Sequence, residues 1–171
     1  MNEQMNEQEK QISGCGAFLG TQFAVAGLLN VVCNGLAFWL SHRDMNPVHY
    51  GEIASDAVVT CVCITFLVVF PTSYFTRKAM ESGQQQPISS AWSARLPDKE
   101  GPWWLLCLTV ALVVVEFLIA VAFLLYSEWS FCSMLGLHCL WCGILGGVCG
   151  LLTAWRCLVL VGPARQGPTK Q

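Results

Sequence analysis

Four stretches of the chain are almost empty of charged side chains: 14–40, 54–75, 103–126 and 131–162. Each is longer than the roughly 20 residues that cross a hydrocarbon core about 30 Å thick. Apolar residues lie on every side of them, whereas a helix on the surface of a soluble domain keeps a polar face. The pattern predicts an all-α fold: an integral membrane bundle of four antiparallel transmembrane helices, at about 14–40, 53–75, 103–126 and 132–161.

The segments between these spans are polar. "SHRDMNPVHYGEIAS" connects the first to the second, with Asn46-Pro47 as a turn signal. Pro71 falls in the last turn of the second span, and a Gly-, Pro-, Ser- and Gln-rich loop follows it. "SEWSF" is a tight return, and Gly162-Pro163 stops the fourth span. The expected organisation is a transmembrane domain over 14–162 between loose tails at 1–13 and 163–171. The opening "MNEQMNEQEK" is polar and acidic, unlike the basic start and short apolar run of a cleaved signal peptide.

Composition supports the membrane reading. Charged residues make up 12% of the chain against about 25% in soluble domains. The net charge of −2 and the lack of a basic patch interleaved with aromatics give no reason to expect a nucleic-acid partner. Lys10, Arg77, Lys78, Arg95, Lys99, Arg165 and Lys170 fall on one side of the predicted bundle, and Arg43 alone falls on the other. The excess of Lys and Arg marks the cytoplasmic side, so both termini are expected there.

Polar residues inside the spans must be turned away from hydrocarbon, where an unpartnered amide costs several kcal/mol. On the first span Phe23, Ala26, Gly27, Asn30, Asn34 and Ala37 share one side, and Phe18, Val25, Val32, Leu36 and Trp39 share the other. The Asn side is expected to face the bundle and the Trp39 side the lipid. The second span adds Asp56 and Thr60, and the third adds Glu116 at mid-depth. Asn30, Asn34, Asp56, Thr60 and Glu116 then form a candidate proton or cation site, with Glu116 as the titrating group. The plainer alternative is polar glue, in which the amides and hydroxyls hold helices together. Glu116 could also pair with Arg156 of the fourth span, which otherwise snorkels to the headgroups.

The fourth span carries Gly136, Gly143, Gly147, Gly150 and Ala154 on one face. This small-xxx-small spacing predicts close approach of another helix, from the same bundle or from a second copy. His138, Cys142, Cys149 and Arg156 are expected on the opposite face. "HCLWC" contains a Cys-X-X-Cys at Cys139 and Cys142 with three readings. One is a quinone-coupled thiol oxidoreductase of the vitamin K epoxide reductase type, although the 41–55 loop lacks the second cysteine pair such a relay needs. Another is metal binding with His138, short of the four ligands of a closed site. The third is apolar packing or acylation at the membrane edge. No hydrolase, nucleotide or metalloprotease motif is present, and neither an enzyme nor a cofactor is expected.

The run from Asn30 and Asn34-Gly35 through Trp39, then Asp56 and Thr60, then Pro71, Arg77 and Lys78 resembles a loose set of small, mostly uncharacterised four-helix membrane proteins of bacterial type. The match covers about the first half of the chain. The cysteine content and Glu116 depart from it. The resemblance implies a membrane bundle with its Asn and Asp residues inward, and implies no activity. On the residues themselves, the leading expectation is a small multi-pass protein that acts through helix association, as a homo-oligomer or with a membrane-protein partner. A proton- or cation-coupled transporter or channel element and a thiol oxidoreductase are the alternatives.

Overall fold

The computed structural model describes residues 2–45, 47–48, 60, 64–88, 111, 114–115 and 130–164, which form helices and turns with no β-sheet. Helix α1 spans Asn2–His42. It begins ahead of the expected Gly14 boundary and takes in the stretch expected as a loose tail. Glu, Gln, Met and Lys dominate that stretch and are all good helix formers, which accounts for the longer helix.

The latter part of the stretch expected as the second span is a π-helical turn, Thr65–Val69, running into α2, Phe70–Glu81. Pro71 therefore does not end the helix. It has no N–H to return to the preceding turn, and its ring crowds that turn's carbonyls. A wide turn placed directly before it relieves both problems. Gly83, at φ 74°, closes α2, and the Gly83 N–H donates to Met80 O at 3.1 Å.

Helix α3 spans Phe131–Ala164. Ser130 caps its start by accepting from the Ser133 N–H at 3.3 Å. It continues past the expected stop at Gly162-Pro163 by a residue or two. The portions Gly14–His42 of α1 and Phe131–Val159 of α3 are each 29 residues long and strongly apolar. At 1.5 Å per residue each measures about 43 Å, more than the hydrocarbon thickness of a bilayer. These two helices are long and apolar enough to cross a membrane. The third expected span is represented only by Ala111, Val114 and Val115, which are helical. Asp56 and Glu116 lie outside the described residues.

α1 and α3 run antiparallel in close contact. Ala26 meets Gly150, Gly27 meets Gly143, Gly35 meets Cys139 and Phe38 meets His138. α2 packs on α3 in the parallel sense. Val68 lies beside Gly150, and Ser73 and Arg77 lie against Cys157. The Ile88 N–H then ties the turn after α2 to Leu158 O at 3.0 Å. One apolar cluster forms where the three helices meet, from Ala26, Ile64, Val68, Val69, Leu145 and Cys149. A second closes one end around Phe38, Val48 and Met134. The outer surfaces are apolar as well: Val25, Val32, Leu36 and Trp39 of α1, and Leu140, Ile144 and Val148 of α3, are exposed.

Candidate functional site

The seam between α1 and α3 is built on missing side chains. A Cβ at Gly27 would stand 2.8 Å from Gly143 O, and one at Gly143 would stand 2.9 Å from Val31 Cγ2. At Gly147 it would strike the Phe23 ring at 2.7 Å, and at Gly150 the Ala26 Cβ at 2.5 Å. Real Cβ atoms do not approach other atoms so closely. The small-residue face of the fourth span is thus occupied by α1 of the same chain. Gly143, Gly147 and Gly150 belong to it, but Gly136 does not, being exposed with nothing within 4 Å; Ala154, further along the helix, is buried. The face has one more member, Gly146, where a Cβ would lie 2.6 Å from Asn30 Cβ. Its spacing of three from Gly143 and four from Gly150 was the available signal.

The bare backbone at Gly146 admits Asn30, which is 1% exposed. Asn30 Nδ2 donates to Cys142 O at 2.5 Å, across to α3. Asn34 Nδ2 donates to Asn30 Oδ1 at 2.5 Å and lies 3.1 Å from Asn30 O. The two amides form a clasp: Asn34 holds Asn30, and Asn30 holds the α3 backbone. A helical carbonyl has a second lone pair, so Cys142 O can accept this bond without giving up a helix bond. Thr60 is also buried, at 4% exposure.

The inner face of α1 is Ala26, Gly27, Asn30, Asn34 and Gly35, as the periodicity indicates, but Ala37 is exposed and Phe23 is 39% exposed. Phe38, four residues after Asn34, is buried in place of Ala37. Its ring stacks on His42, centroid to centroid 4.5 Å, and on His138, 4.7 Å, with Phe131 at 6.2 Å. His42 Nδ1 lies 3.2 Å from Phe38 O, and as the carbonyl can only accept, the imidazole is the donor. His138 Nε2 is 3.5 Å from Cys142 Sγ.

The face of α3 opposite the glycines is not free either. Cys149 is buried in the cluster with Ile64, Val68 and Val69, and Arg156 is buried as well, whereas His138 and Cys142, expected on that face, meet α1 at Phe38 and Asn30. All seven described cysteines are free thiols. In the Cys-X-X-Cys, Cys139 Sγ fills the space a Cβ on Gly35 would take, while Cys142 Sγ turns to His138. Among the described residues, no group of three or more His, Cys, Asp or Glu side chains is arranged to hold a metal ion. Set against known protein families, curated proteins and solved structures, the chain matches none.

Proposed function

We propose that the chain is a four-span integral membrane protein, with both termini cytoplasmic, that works through helix association as an oligomer or as a subunit of a membrane complex. The observation that carries this reading is the α1/α3 seam. Its glycine contacts and its Asn30–Cys142 bond are the means by which helices associate where apolar burial gives no net drive, since lipid tails are as apolar as leucine. Around that seam the exposed apolar side chains of both helices form surfaces suited to lipid or to other membrane helices. The lipid bilayer is then the first partner, and a second copy or another membrane protein the next. Chemical crosslinking in native membranes, followed by native mass spectrometry of the extracted protein, tests this. A discrete oligomer or a stoichiometric partner is expected, and a strictly monomeric species with nothing co-purifying refutes it.

A second reading has a specific observation in its favour. Asn30, Asn34 and Thr60 are all buried, as a proton or cation site built with Glu116 and Asp56 requires. Proton and solute flux in reconstituted vesicles, compared between wild type and Glu116→Gln, decides it. Equal flux removes Glu116 from any such role.

A further inference from the structure

The exposed side of α2 and of the π-helical turn before it differs in kind from the outer faces of α1 and α3. Exposed apolar side chains of α1 and α3 are mainly aliphatic, whereas here they are mainly rings. Phe66, Phe70 and Tyr74 follow one another at a spacing of four, 59%, 49% and 60% exposed, and the next member of the row is exposed Lys78. The first two rings stack at 5.6 Å with 23° between their planes, and the Phe75 ring stands edge-on to Tyr74 at 5.4 Å. Exposed Arg77 sits beside Lys78. Resting on the membrane-spanning reading above, we propose that this ridge is the binding surface for an anionic phospholipid, with its acyl chains along the rings and its phosphate at Lys78 and Arg77.

The dimensions fit one leaflet. Phe66 and Lys78 are twelve residues apart, about 18 Å at 1.5 Å per residue. Half of a hydrocarbon core about 30 Å thick is about 15 Å, so the rings lie at acyl depth when the cation lies among the headgroups. Rings offer more apolar contact area per residue than aliphatic side chains do. Tyr74 places a hydroxyl where the row passes from apolar to charged, as amphipathic rings do at a membrane interface. The far end of the row is electrostatic. Lys78 and Arg77 are cations, and Glu81, one turn on, leaves one net positive charge over this last turn. Arg77 also lies against Cys157 of α3, so Lys78 makes the outward contact and Arg77 adds its charge. A headgroup with one net negative charge complements this end. A zwitterionic headgroup brings its own ammonium group and gains less, and a sterol offers no charge to Lys78.

The test counts bound lipid. The full chain is reconstituted in nanodiscs holding equal parts of phosphatidylglycerol and phosphatidylcholine, and native mass spectrometry of the released protein reads which lipid it keeps. Phosphatidylglycerol should be retained over phosphatidylcholine by about fivefold, the preference that one cation near a membrane surface confers. Lys78→Gln, at an exposed position, should bring the ratio close to one, and Arg43→Gln, which removes an exposed cation of α1, should leave it unchanged. Phe66→Ala with Phe70→Ala should lower the amount of lipid retained. Equal retention in wild type, an unchanged ratio in Lys78→Gln, an equal fall in Arg43→Gln, or full retention in the double ring variant overturns the proposal. A lipid-free dimer that the double ring variant separates overturns it as well and gives the ridge to a second copy. Flotation of the same proteins with liposomes keeps the two readings apart: a chain that fails to float refutes the membrane reading itself, and one that floats without a preferred lipid refutes only the ridge.

Discussion

Gly27 offers the most direct test of the seam. Replacing it with alanine puts a Cβ 2.8 Å from Gly143 O, where ordinary contact begins at 3.4 Å. The obstacle is backbone, so no rotamer change relieves it, and the helices must part by the missing 0.6 Å, the difference between those two distances. That movement acts on neighbours in the same seam. It loosens Gly146 against Asn30 and stretches the Asn30–Cys142 bond. Overpacking of this kind costs about 1–3 kcal/mol. Alanine returns at most about 1 kcal/mol as the better helix former. With the full propensity gain the net expectation for Gly27→Ala is a loss of about 0–2 kcal/mol, up to roughly 30-fold in the unfolding equilibrium. Gly136→Ala is the matched control, since nothing lies within 4 Å of that position and only the helix-propensity gain remains. Reversible unfolding in mixed micelles, titrated with a denaturing detergent and followed by circular dichroism, compares the two. If Gly27→Ala is as stable as Gly136→Ala, α1 and α3 do not meet at Gly27 and Gly143, and the account of the seam fails.

Four other outcomes are expected. Asn30→Leu removes the bond between helices and leaves the buried Asn34 amide short of its side-chain acceptor, for a loss of about 1–3 kcal/mol. Asn34→Leu spares the bond to Cys142 O and should cost less, in the same unfolding assay. Phe38→Ala empties a site 1% exposed and dissolves the ring stack, for a loss of about 3–5 kcal/mol, which a shift in thermal unfolding would register. Reporter fusions at both ends, read for cytoplasmic activity, should both be active. An active N-terminal and inactive C-terminal fusion would mean an odd number of crossings.

The sequence made the inner and outer faces of the first span legible because their residue types are segregated. Ala26, Gly27, Asn30 and Asn34 are buried, and Val25, Val32, Leu36 and Trp39 are exposed, as helical periodicity requires. It made the close packing of Gly143, Gly147 and Gly150 legible, though not the partner, since spacing on one helix carries no information about which surface meets it. The extent of α2 was hidden. A proline in an apolar span reads as an end, and the π-helical turn that carries the chain through Pro71 is a backbone adjustment with no residue signature of its own. The His42–Phe38–His138 stack joins residues about a hundred positions apart in the chain, and local pattern cannot pair them.

Gly136 and Ala37 lie outside the contact for one physical reason. A straight stripe along the helix axis takes in Gly136, seven residues before Gly143, and Ala37, three after Asn34. The contacts instead follow rows spaced by four. On α1 the row is Ala26, Asn30, Asn34, Phe38 and His42, all buried. On α3 it is His138, Cys142, Gly146, Gly150 and Ala154, all buried except the half-buried His138. Rows of this spacing are inclined to the helix axis, and packing runs ridge into groove along them. A heptad stripe starting at Gly150 therefore leaves the contact as it reaches Gly136, while the inclined row reaches His138 and its ring stack. The same rows explain why the polar groups sit where they do. Asn30 meets Cys142 O and Gly146 because one row lies on the other, and Asn34 meets Asn30 because it is the next member of the row. Association and polar satisfaction are thus one structure here, and a substitution that tilts either row should disturb the clasp and the ring stack together.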